Sequence, residues 1–475
     1  MATKKDLVEA YSFSRRRLVT AFVSGAPGGR EVEPARPGRM IVGGIALAVL
    51  LIAGAAVAGA LTKRPPPDWN NPGLVTDDHG ALYVILDSEQ SAGESTLRPV
   101  INVTSARLIL GSDVKTKSVP DKVLATRKKG PSIGILDAPA TVPAADHLIN
   151  SGWVACTANG AGLQADVRRR PSVERAAGTG FVVKAEKSGV RWLIAEAEVP
   201  GHPTRAYRYQ LPPRNDALDT DLGVTTSDQV TVPDTWLALF PAGGPLSAAG
   251  LGVTGWGTPV AGYAGGARVG DYLERNGQSF VLTQQGFAPL TDFALAVVRN
   301  TRFAAGVPRK LEPAATDPAF KAADRTYDAA SWPEEPVDRS AAATDTVCGV
   351  LETDEGTEPA VRLATVPAGA PVDPVAKGER KVAVEAGYGA LVRSADFGTS
   401  EGGTVALVDD GGRSYSLAGE AEVENLGYKS VPPVVVPGSW VQLFTPGPDL
   451  SILDALCPPR TPTQDARTPV GPSCS

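Results

Sequence analysis

The sequence predicts an α+β fold that is rich in β-structure and stands behind a single N-terminal transmembrane helix. Of the 475 residues, 43% are hydrophobic and 21% are charged, a balance typical of a folded chain. At about 150 residues per domain, this length predicts roughly two to four structural units. The 51 glycines and 41 prolines favour many short strands joined by turns. An uncharged apolar run at residues 40–61 supplies the membrane segment.

The N-terminal segment, residues 1–39, holds eight Lys and Arg side chains against four acids, whereas the rest of the chain is net negative. This asymmetry predicts a cytoplasmic N-terminus. Within the segment, apolar residues recur at helical spacing around an arginine triplet at 15–17: Leu7, Tyr11, Leu18 and Phe22. The pattern is typical of an amphipathic helix against the inner leaflet or a partner, and equally of a simple topology signal.

The run from Met40 to Leu61, MIVGGIALAVLLIAGAAVAGAL, contains 22 residues without a charge. As a helix it reaches about 33 Å, enough to cross a hydrocarbon core about 30 Å thick. Small residues at Ala56, Ala58 and Ala60 also allow a cleaved signal peptide, but a 39-residue segment before the run is too long for that interpretation. We therefore expect a retained, single-pass anchor in the cell membrane, with the C-terminal domain extracytoplasmic.

Two stretches of the exported region repeat the same pattern. In both, a Gly precedes a Pro by ten residues, the Pro precedes a Trp by three, and the Trp precedes a Phe by four. The two copies are Leu222-Gly223, Val232-Pro233, Trp236, Leu239-Phe240 and Gly244-Pro245-Leu246, then Leu426-Gly427, Val436-Pro437, Trp440, Leu443-Phe444, Gly447-Pro448 and Leu450. A shared spacing of this length indicates a duplicated module.

Fainter copies begin at Tyr83-Val84-Ile85 and Phe280-Val281-Leu282. Each copy is expected to start with strands and a turn, as in Thr404 to Val408 and Asp409 to Gly412. After the Val-Pro pair we expect a short helix that ends at Gly-Pro, with its Trp and Leu-Phe packed on the strands.

Pro/Ala-rich stretches at 138–145 and 313–338 separate the copies. A cysteine follows each stretch, which predicts a central β domain assembled from two chain segments. The predicted units are a cytoplasmic segment 1–39, the transmembrane helix 40–61, repeat module 1 at 66–125, the first segment of the central domain at 126–185, repeat module 2 at 186–250, repeat module 3 at 262–312, the second segment of the central domain at 330–380, repeat module 4 at 385–457 and a C-terminal tail 458–475.

All four cysteines lie beyond the membrane span, where an oxidising compartment permits disulfides: Cys156, Cys348, Cys457 and Cys474. Four cysteines allow three pairings. Proximity favours Cys457 with Cys474, which leaves Cys156 with Cys348. Free buried thiols are the alternative.

No catalytic, cofactor-binding or metal-binding residue is predicted. The segment Gly130-Pro131-Ser132-Ile133-Gly134 matches G-x-S-x-G, but a strand ended by Pro139 follows it where a nucleophile elbow needs a helix. Neither a G-x-x-x-x-G-K-[ST] loop nor H-E-x-x-H occurs. Three histidines, at 79, 147 and 202, with four cysteines, are too thinly spread for a recognisable metal cluster. The net charge of −6 does not indicate the excess of basic residues that is typical of nucleic-acid-binding proteins.

Several runs resemble one known family, EccB, the membrane-anchored extracytoplasmic component of type VII (ESX) secretion machines in actinobacteria. The resemblance runs nearly end to end, and it lies in Phe13-Ser14-Arg15-Arg16-Arg17-Leu18-Val19, the run from Leu97 to Gly111, Gly130 to Ile135, Val269-Gly270-Asp271, Gly286 to Leu290, and Leu426 through Leu450. It also accounts for the false hydrolase motif at Gly130.

The resemblance implies an elongated exported domain with four repeat modules around a central β domain that contains one disulfide. It implies the membrane-complex partners EccC, EccD and EccE, the mycosin protease MycP nearby, and a homo-oligomer within the complex. ATP hydrolysis would then reside in EccC, and this chain would be a structural subunit without a cofactor. The alternatives are a membrane-anchored wall-binding protein, or an ATPase or nucleotidase without a recognisable phosphate-binding motif.

Overall fold

The structure is a computed structural model that describes residues 3–24, 65–87, 96–213, 216–224, 229–263, 266–304, 306–312, 317–367, 369 and 375–459. The chain divides into two compact units, Met1–Pro66 and Pro67–Ser475. The predicted transmembrane run at 40–61 lies outside the described residues. Among those that are described, no helix combines the length and the apolar character that crossing a bilayer requires.

The first unit contains helix α1 (Lys4–Ser24), which confirms the helix predicted from the spacing of its apolar residues. Asp6 in its first turn accepts a hydrogen bond from the Thr3 backbone N–H at 3.0 Å. The large apolar side chains of this helix are exposed, and Phe22 is exposed to 92%.

The second unit combines short helices with five sheets in the described residues, so the α+β, β-rich class is confirmed. Its strands are β1 (Gly73–Thr76), β2 (Leu82–Ile85), β3 (Leu97–Pro99), β4 (Lys117–Ser118), β5 (Trp153–Thr157), β6 (Leu163–Val167), β7 (Glu174–Arg175), β8 (Thr179–Ala185), β9 (Arg191–Ala197), β10 (Arg205–Gln210), β11 (Val230–Val232), β12 (Tyr272–Arg275), β13 (Gln278–Leu282), β14 (Phe287–Leu290), β15 (Arg339–Ser340), β16 (Val347–Glu352), β17 (Ala360–Thr365), β18 (Arg380–Val384), β19 (Ala390–Ala395), β20 (Thr404–Val408), β21 (Arg413–Ser416), β22 (Val434–Pro437) and β23 (Thr445–Pro446).

The helices of the second unit are short. They are α2 (Val103–Leu110), α3 (Asp121–Leu124), α4 (Asp216–Asp221), α5 (Asp234–Leu237), α6 (Asp292–Asn300), α7 (Glu420–Asn425), α8 (Gly438–Val441) and α9 (Ile452–Leu456). Side-chain N-caps precede the two longest of them. The Asn102 side chain accepts from the Ser105 N–H at 2.8 Å before α2, and the Thr291 side chain accepts from the Ala294 N–H at 3.1 Å before α6. Such caps satisfy N–H groups that the first turn leaves without partners.

Four of the sheets share one order of elements. Each begins with an antiparallel meander of three strands, β1–β2–β3, β8–β9–β10, β12–β13–β14 and β19–β20–β21, and a helix follows. In three of them the next strand returns parallel to the first one, as β4 on β1, β11 on β8 and β22 on β19. In the third sheet, a single parallel bridge between Tyr272 and Lys310 occupies this place.

The remaining sheet is built from two distant chain segments. Its order is β18-β6-β5-β16-β17-β7, so β5, β6 and β7 come from residues 153–175 whereas β16, β17 and β18 come from residues 347–384. The two segments pair at three places, β6 with β18, β7 with β17, and β5 with β16. In the last pair the strands are antiparallel, with Val154 opposite Val350 and Cys156 opposite Cys348. We call this the central sheet.

The repeated tryptophans pack as predicted. Trp236 and Trp440 are almost fully buried in one apolar cluster with residues of the central sheet. The Trp236 indole N–H donates to the Ala155 carbonyl of β5 at 2.9 Å, and that of Trp440 donates to the Leu239 carbonyl at 3.1 Å. Burial of an indole whose N–H has a partner is strongly stabilising.

The expected helices behind these tryptophans are shorter than predicted. α5 ends at Leu237 and α8 at Val441, well before the Gly-Pro pairs. The helix cannot continue because the following chain pairs with a strand: the Arg208 N–H of β10 donates to the Pro241 carbonyl at 2.9 Å. Residues 445–446 pair in the same way with β21.

A glycine in each of these pairing segments lies against an aromatic ring. A Cβ added at Gly243 would fall 2.0 Å from the Tyr209 ring, and one at Gly447 would fall 2.3 Å from the Tyr415 ring. Both rings are almost fully buried, so these positions have no room for a side chain.

Candidate functional site

The disulfide of the central sheet joins Cys156 in β5 to Cys348 in β16. The two residues are directly opposite in the strand register, and their Cα atoms are 4.1 Å apart. Cys348 is fully buried and Cys156 is 9% exposed, and both belong to a small apolar cluster with Val154, Val350 and Ala364. The bridge covers a sequence separation of 192 residues and therefore clamps the two segments of the central sheet.

Cys457 is also disulfide-bonded. Its predicted partner, Cys474, lies outside the described residues, so that pairing stays a prediction. No free cysteine occurs in the region of the chain that the structure describes.

A buried charge cluster joins three chain regions beside the central sheet. Arg205 of β10 is only 3% exposed; its Nη2 donates to Glu358, in the turn between β16 and β17, and its Nη1 donates to the Phe397 carbonyl at 2.6 Å. The second partner of Glu358 is His202, whose Nδ1 lies 2.9 Å from Oε2. Burial acts to raise the pKa of Glu358, but the hydrogen bonds from His202 and Arg205 outweigh it and lower the pKa.

A second cluster lies on the surface, where residues 168–170 face residues 384–386. Arg169 stacks 4.3 Å above the Tyr388 ring and holds Glu385 through its Nε and its backbone N–H, at 2.9 and 3.0 Å. These hydrogen bonds from Arg169 lower the pKa of Glu385. His147 also stacks on Tyr388, with 4.7 Å between the ring centroids.

This surface cluster lines an open groove made by Arg168, Arg169, Arg170, Val384, Glu385 and Ala386. Two of its three arginines are already engaged by carboxylates, Arg168 by Asp166 at 3.3 Å and Arg169 by Glu385. The lining contains no glycine-rich loop and no helix N-terminus, the two features that usually hold phosphate groups.

The structure brings together one group of possible metal ligands that the spacing of residues along the chain did not predict. Asp77, His79 and Asp121 each offer a ligand atom, and these atoms lie within 4.8 Å of one another. His79 Nδ1 is 2.9 Å from Asp121 Oδ2, while Asp77 Oδ1 accepts from the backbone N–H groups of His79 and Ala81. Folding brings Asp121 to the β1–β2 turn, and no sequence motif indicates this contact. The ligand atoms already have protein partners, and His79 is 81% exposed on its side chain.

The segment that matches G-x-S-x-G does not form a nucleophile elbow. Ile133 pairs with the end of β3, where its N–H donates to the Pro99 carbonyl at 2.9 Å, and no helix follows before residue 145. The three histidines of the chain lie elsewhere, against Asp121, Tyr388 and Glu358. Ser132 therefore has no histidine base beside it.

Comparisons with known proteins agree with this architecture. Residues 1–460 match the family model described as type VII secretion system ESX-1, transport TM domain B. The chain is 25% identical over 487 residues to a protein of Mycolicibacterium smegmatis (strain MKD8) named ESX-1 secretion system ATPase EccB1, covering 96% of this chain and 95% of the relative.

Two solved structures share the fold. A chain of an intact ESX-5 inner membrane complex aligns with a TM-score of 0.59 at 22% identity, over 99% of this chain and 98% of that one. A chain from the EccB3 dimer of the ESX-3 core complex aligns with a TM-score of 0.59 at 21% identity, over 81% of this chain and 99% of that one. Since the family model spans nearly the whole sequence, this chain belongs to the EccB family of type VII secretion proteins.

Proposed function

We propose that this protein is a structural subunit of a type VII (ESX) secretion complex in the cell membrane, with an extracytoplasmic scaffold that makes protein–protein contacts. The observation that carries the proposal is the central sheet, whose two halves are separated by a long stretch of the exported chain and are clamped by the Cys156–Cys348 disulfide. A clamp of this kind fixes the surrounding sheets relative to the centre, as a scaffold requires.

The proposal includes the predicted topology and partners. Helix α1 and the basic segment up to residue 39 lie in the cytoplasm, residues 40–61 cross the membrane, and the second unit is exported. EccC, EccD and EccE are the proposed partners within the membrane complex, with MycP beside it and further copies of this chain. Membership of the EccB family and the origin of the similar structures, which come from ESX inner membrane and core complexes, support this arrangement.

We also propose that the four sheets with a common order of elements are the four repeat modules. The shared meander, helix and returning strand support this assignment. Because β8 pairs with β9, the second module would begin near Thr179, earlier than the residue 186 that the sequence predicts. The central domain would then consist of the central sheet and the loops that join its strands.

An ATPase is the second candidate, because relatives of this chain are named ATPases. Hydrolysis needs groups that stabilise the negative charge of the transferring phosphoryl, such as a backbone amide cradle, a cation or a metal ion. The open groove contains three arginines, Arg168, Arg169 and Arg170, and carboxylates hold two of them. The scaffold is therefore better supported than catalysis.

The test is extraction of the full chain, tagged at its C-terminus, in a mild detergent, followed by native mass measurement and identification of the proteins that copurify. We expect a large particle that contains an EccC-type ATPase, and loss of that particle and of substrate export when the chain is truncated after Lys63. A lone monomer, with export undiminished by the truncation, would refute the scaffold.

A separate measurement decides between scaffold and ATPase. The purified full chain is incubated with ATP and Mg²⁺, and phosphate release is compared with that of a variant in which Arg168, Arg169 and Arg170 are replaced by glutamine. We expect no release that depends on these residues. Release that disappears with the triple variant would establish the ATPase.

A further inference from the structure

The open groove lies where the two segments of the central sheet end side by side. Strands β6 and β18 pair in parallel up to Val167 and Val384, and the Glu385 N–H donates to the Val167 carbonyl at 2.9 Å. Because two paired parallel strands run in the same direction, residues 168–170 and 384–386 leave the sheet at the same end. They line one groove with a volume of about 940 Å³.

Arg169 is the fixed member of the arginine triplet. Its guanidinium stacks on the Tyr388 ring and donates to Glu385, and its backbone N–H donates to the same carboxylate. These contacts join residues from the two segments of the central sheet, so they fix the shape of the groove. The charge of Arg169 is compensated by Glu385.

The other two arginines keep their hydrogen-bonding capacity. Arg168 meets Asp166 as an ion pair, with 3.3 Å between Nη2 and Oδ1, but Asp166 Oδ1 accepts no hydrogen bond within the described residues. Arg170 is exposed, and none of the described residues pairs with its side chain. The groove therefore presents two guanidinium groups whose N–H donors can bind a ligand.

Guanidinium groups of this kind fit carboxylates. A guanidinium binds a carboxylate through two parallel N–H···O bonds, and such charge-assisted bonds are roughly twice as strong as neutral ones. Three arginines in the groove face two protein carboxylates, Asp166 and Glu385, so one positive charge is left over. The chain as a whole has a net charge of −6, which makes this a local site for a negatively charged ligand on an otherwise acidic protein.

The openness of the groove favours a long ligand over a small one. Sites for small molecules usually enclose most of the ligand's surface, and this groove is open to solvent. An extended peptide gains contact by continuing along the groove, and its alternate side chains can reach separate groups of the protein. The geometry therefore favours the carboxylates of a peptide segment over a free small acid.

We propose that this groove binds an extended, acidic segment of a partner protein, whose carboxylates pair with Arg168 and Arg170 while Arg169 holds the two walls together. The inference rests on the proposed scaffold function and extends it, because it names one contact surface and the chemistry of the partner. The two walls belong to different segments of the central sheet, so the groove forms only when that sheet is complete.

The test measures binding of a fluorescein-labelled peptide, Gly-Asp-Val-Glu-Val-Asp-Gly, to the full chain in a mild non-ionic detergent by fluorescence anisotropy. A matched peptide carries Asn and Gln in place of the acidic residues, and tripolyphosphate is a separate competitor. Arg170→Gln removes a guanidinium without a described partner, and Ala386→Glu adds a negative charge to the groove. Ala386→Gln and Arg302→Gln are the controls, the first neutral at the same position and the second at an exposed arginine of another sheet.

We expect the acidic peptide to bind and the neutral peptide to fail. Loss of one charge-assisted pair should weaken binding about tenfold or more in Arg170→Gln, and Ala386→Glu should weaken it at least as much. The two control variants should stay within about twofold of the original chain. Binding should also weaken as the salt concentration rises, because the contacts are exposed to solvent.

Failure of the acidic peptide to bind, equal binding of the two peptides, or unchanged binding in both Arg170→Gln and Ala386→Glu would overturn the proposal. Tripolyphosphate that displaces the peptide far better than unlabelled peptide does would overturn it in favour of a phosphate ligand. A native mass that falls in Arg170→Gln would assign the groove to a contact between copies. Each of these results leaves the copurification test of the scaffold unaffected, so failure of this inference and failure of the scaffold can be told apart.

Discussion

The buried ion pair between Arg205 and Glu358 allows a quantitative test of how the second unit is held together. We consider Glu358→Gln, which keeps the shape of the side chain but removes its charge. Arg205 is 3% exposed, and its Nε has no hydrogen-bond partner. After the substitution, its charge would face only neutral acceptors, the Phe397 carbonyl and the amide oxygen of the new side chain.

The expected loss follows from the burial of the two partners. Removal of one member of a fully buried pair costs about 3–5 kcal/mol, because the other charge stays buried without compensation. The Glu358 side chain is 19% exposed, so some water reaches the site, and we expect a loss of about 2–4 kcal/mol in the free energy of unfolding. A double variant, Arg205→Met with Glu358→Leu, should lose clearly less than the sum of the single changes, since apolar replacements of a buried pair are often close to neutral.

The assay is urea unfolding of the full chain in mild detergent, followed by tryptophan fluorescence. Glu355→Gln is the matched control, because Glu355 lies in the same turn and is exposed; its substitution should change the free energy of unfolding by less than about 0.5 kcal/mol. A loss below about 1 kcal/mol for Glu358→Gln, together with strictly additive costs in the double variant, would refute the reasoning, since exposed pairs behave in that way.

Three further outcomes are expected. Because the pKa of Glu358 is lowered from its ordinary value of 4.5, its contribution to stability should be complete above that pH and should fade as the pH drops through the folded-state pKa; an advantage over Glu358→Gln that persists unchanged in acid would contradict this. Cys348→Ala should lower the free energy of unfolding by about 5 kcal/mol, as expected for a closed loop of this length, and an unaltered melting temperature would show that the bridge does not clamp the sheet. Gly447→Ala should cost about 1–3 kcal/mol because its Cβ meets the Tyr415 ring, whereas Gly398→Ala, with no atom within 4 Å, should leave the urea midpoint in place.

Local signals in the sequence predicted the secondary structure better than the assembly. The strand at Thr404 to Val408 and the turn at Asp409 to Gly412 are present as expected, because alternating apolar residues and Asp-Gly pairs act over a few residues. The repeated Trp spacing likewise predicted the burial of Trp236 and Trp440.

Contacts between distant segments left no comparable signal. Nothing in the sequence around Arg205 indicates that Glu358 is its partner, and nothing around His79 points to Asp121. The sequence also predicted a longer α5 than the structure has. The chain after Leu237 leaves the helix to pair with β10, and this competition between helix and strand pairing arises only in the folded state. Tertiary pairing decides such features, and a pattern along the chain carries little information about it.

The split construction of the central sheet has a consequence for the order in which the protein matures. In synthesis from the N-terminus, β5 and β6 emerge early, yet β5 lacks its neighbour β16 until nearly two hundred further residues have followed. During that interval, the Cys156 thiol and both edges of the β5–β6 hairpin stay open to other thiols and other strands, because β6 also waits for its neighbour β18. The second and third sheets can fold in the meantime, since each is made largely of neighbouring residues. Completion of the central sheet is thus a late event, which can occur only after the intervening chain has been synthesised.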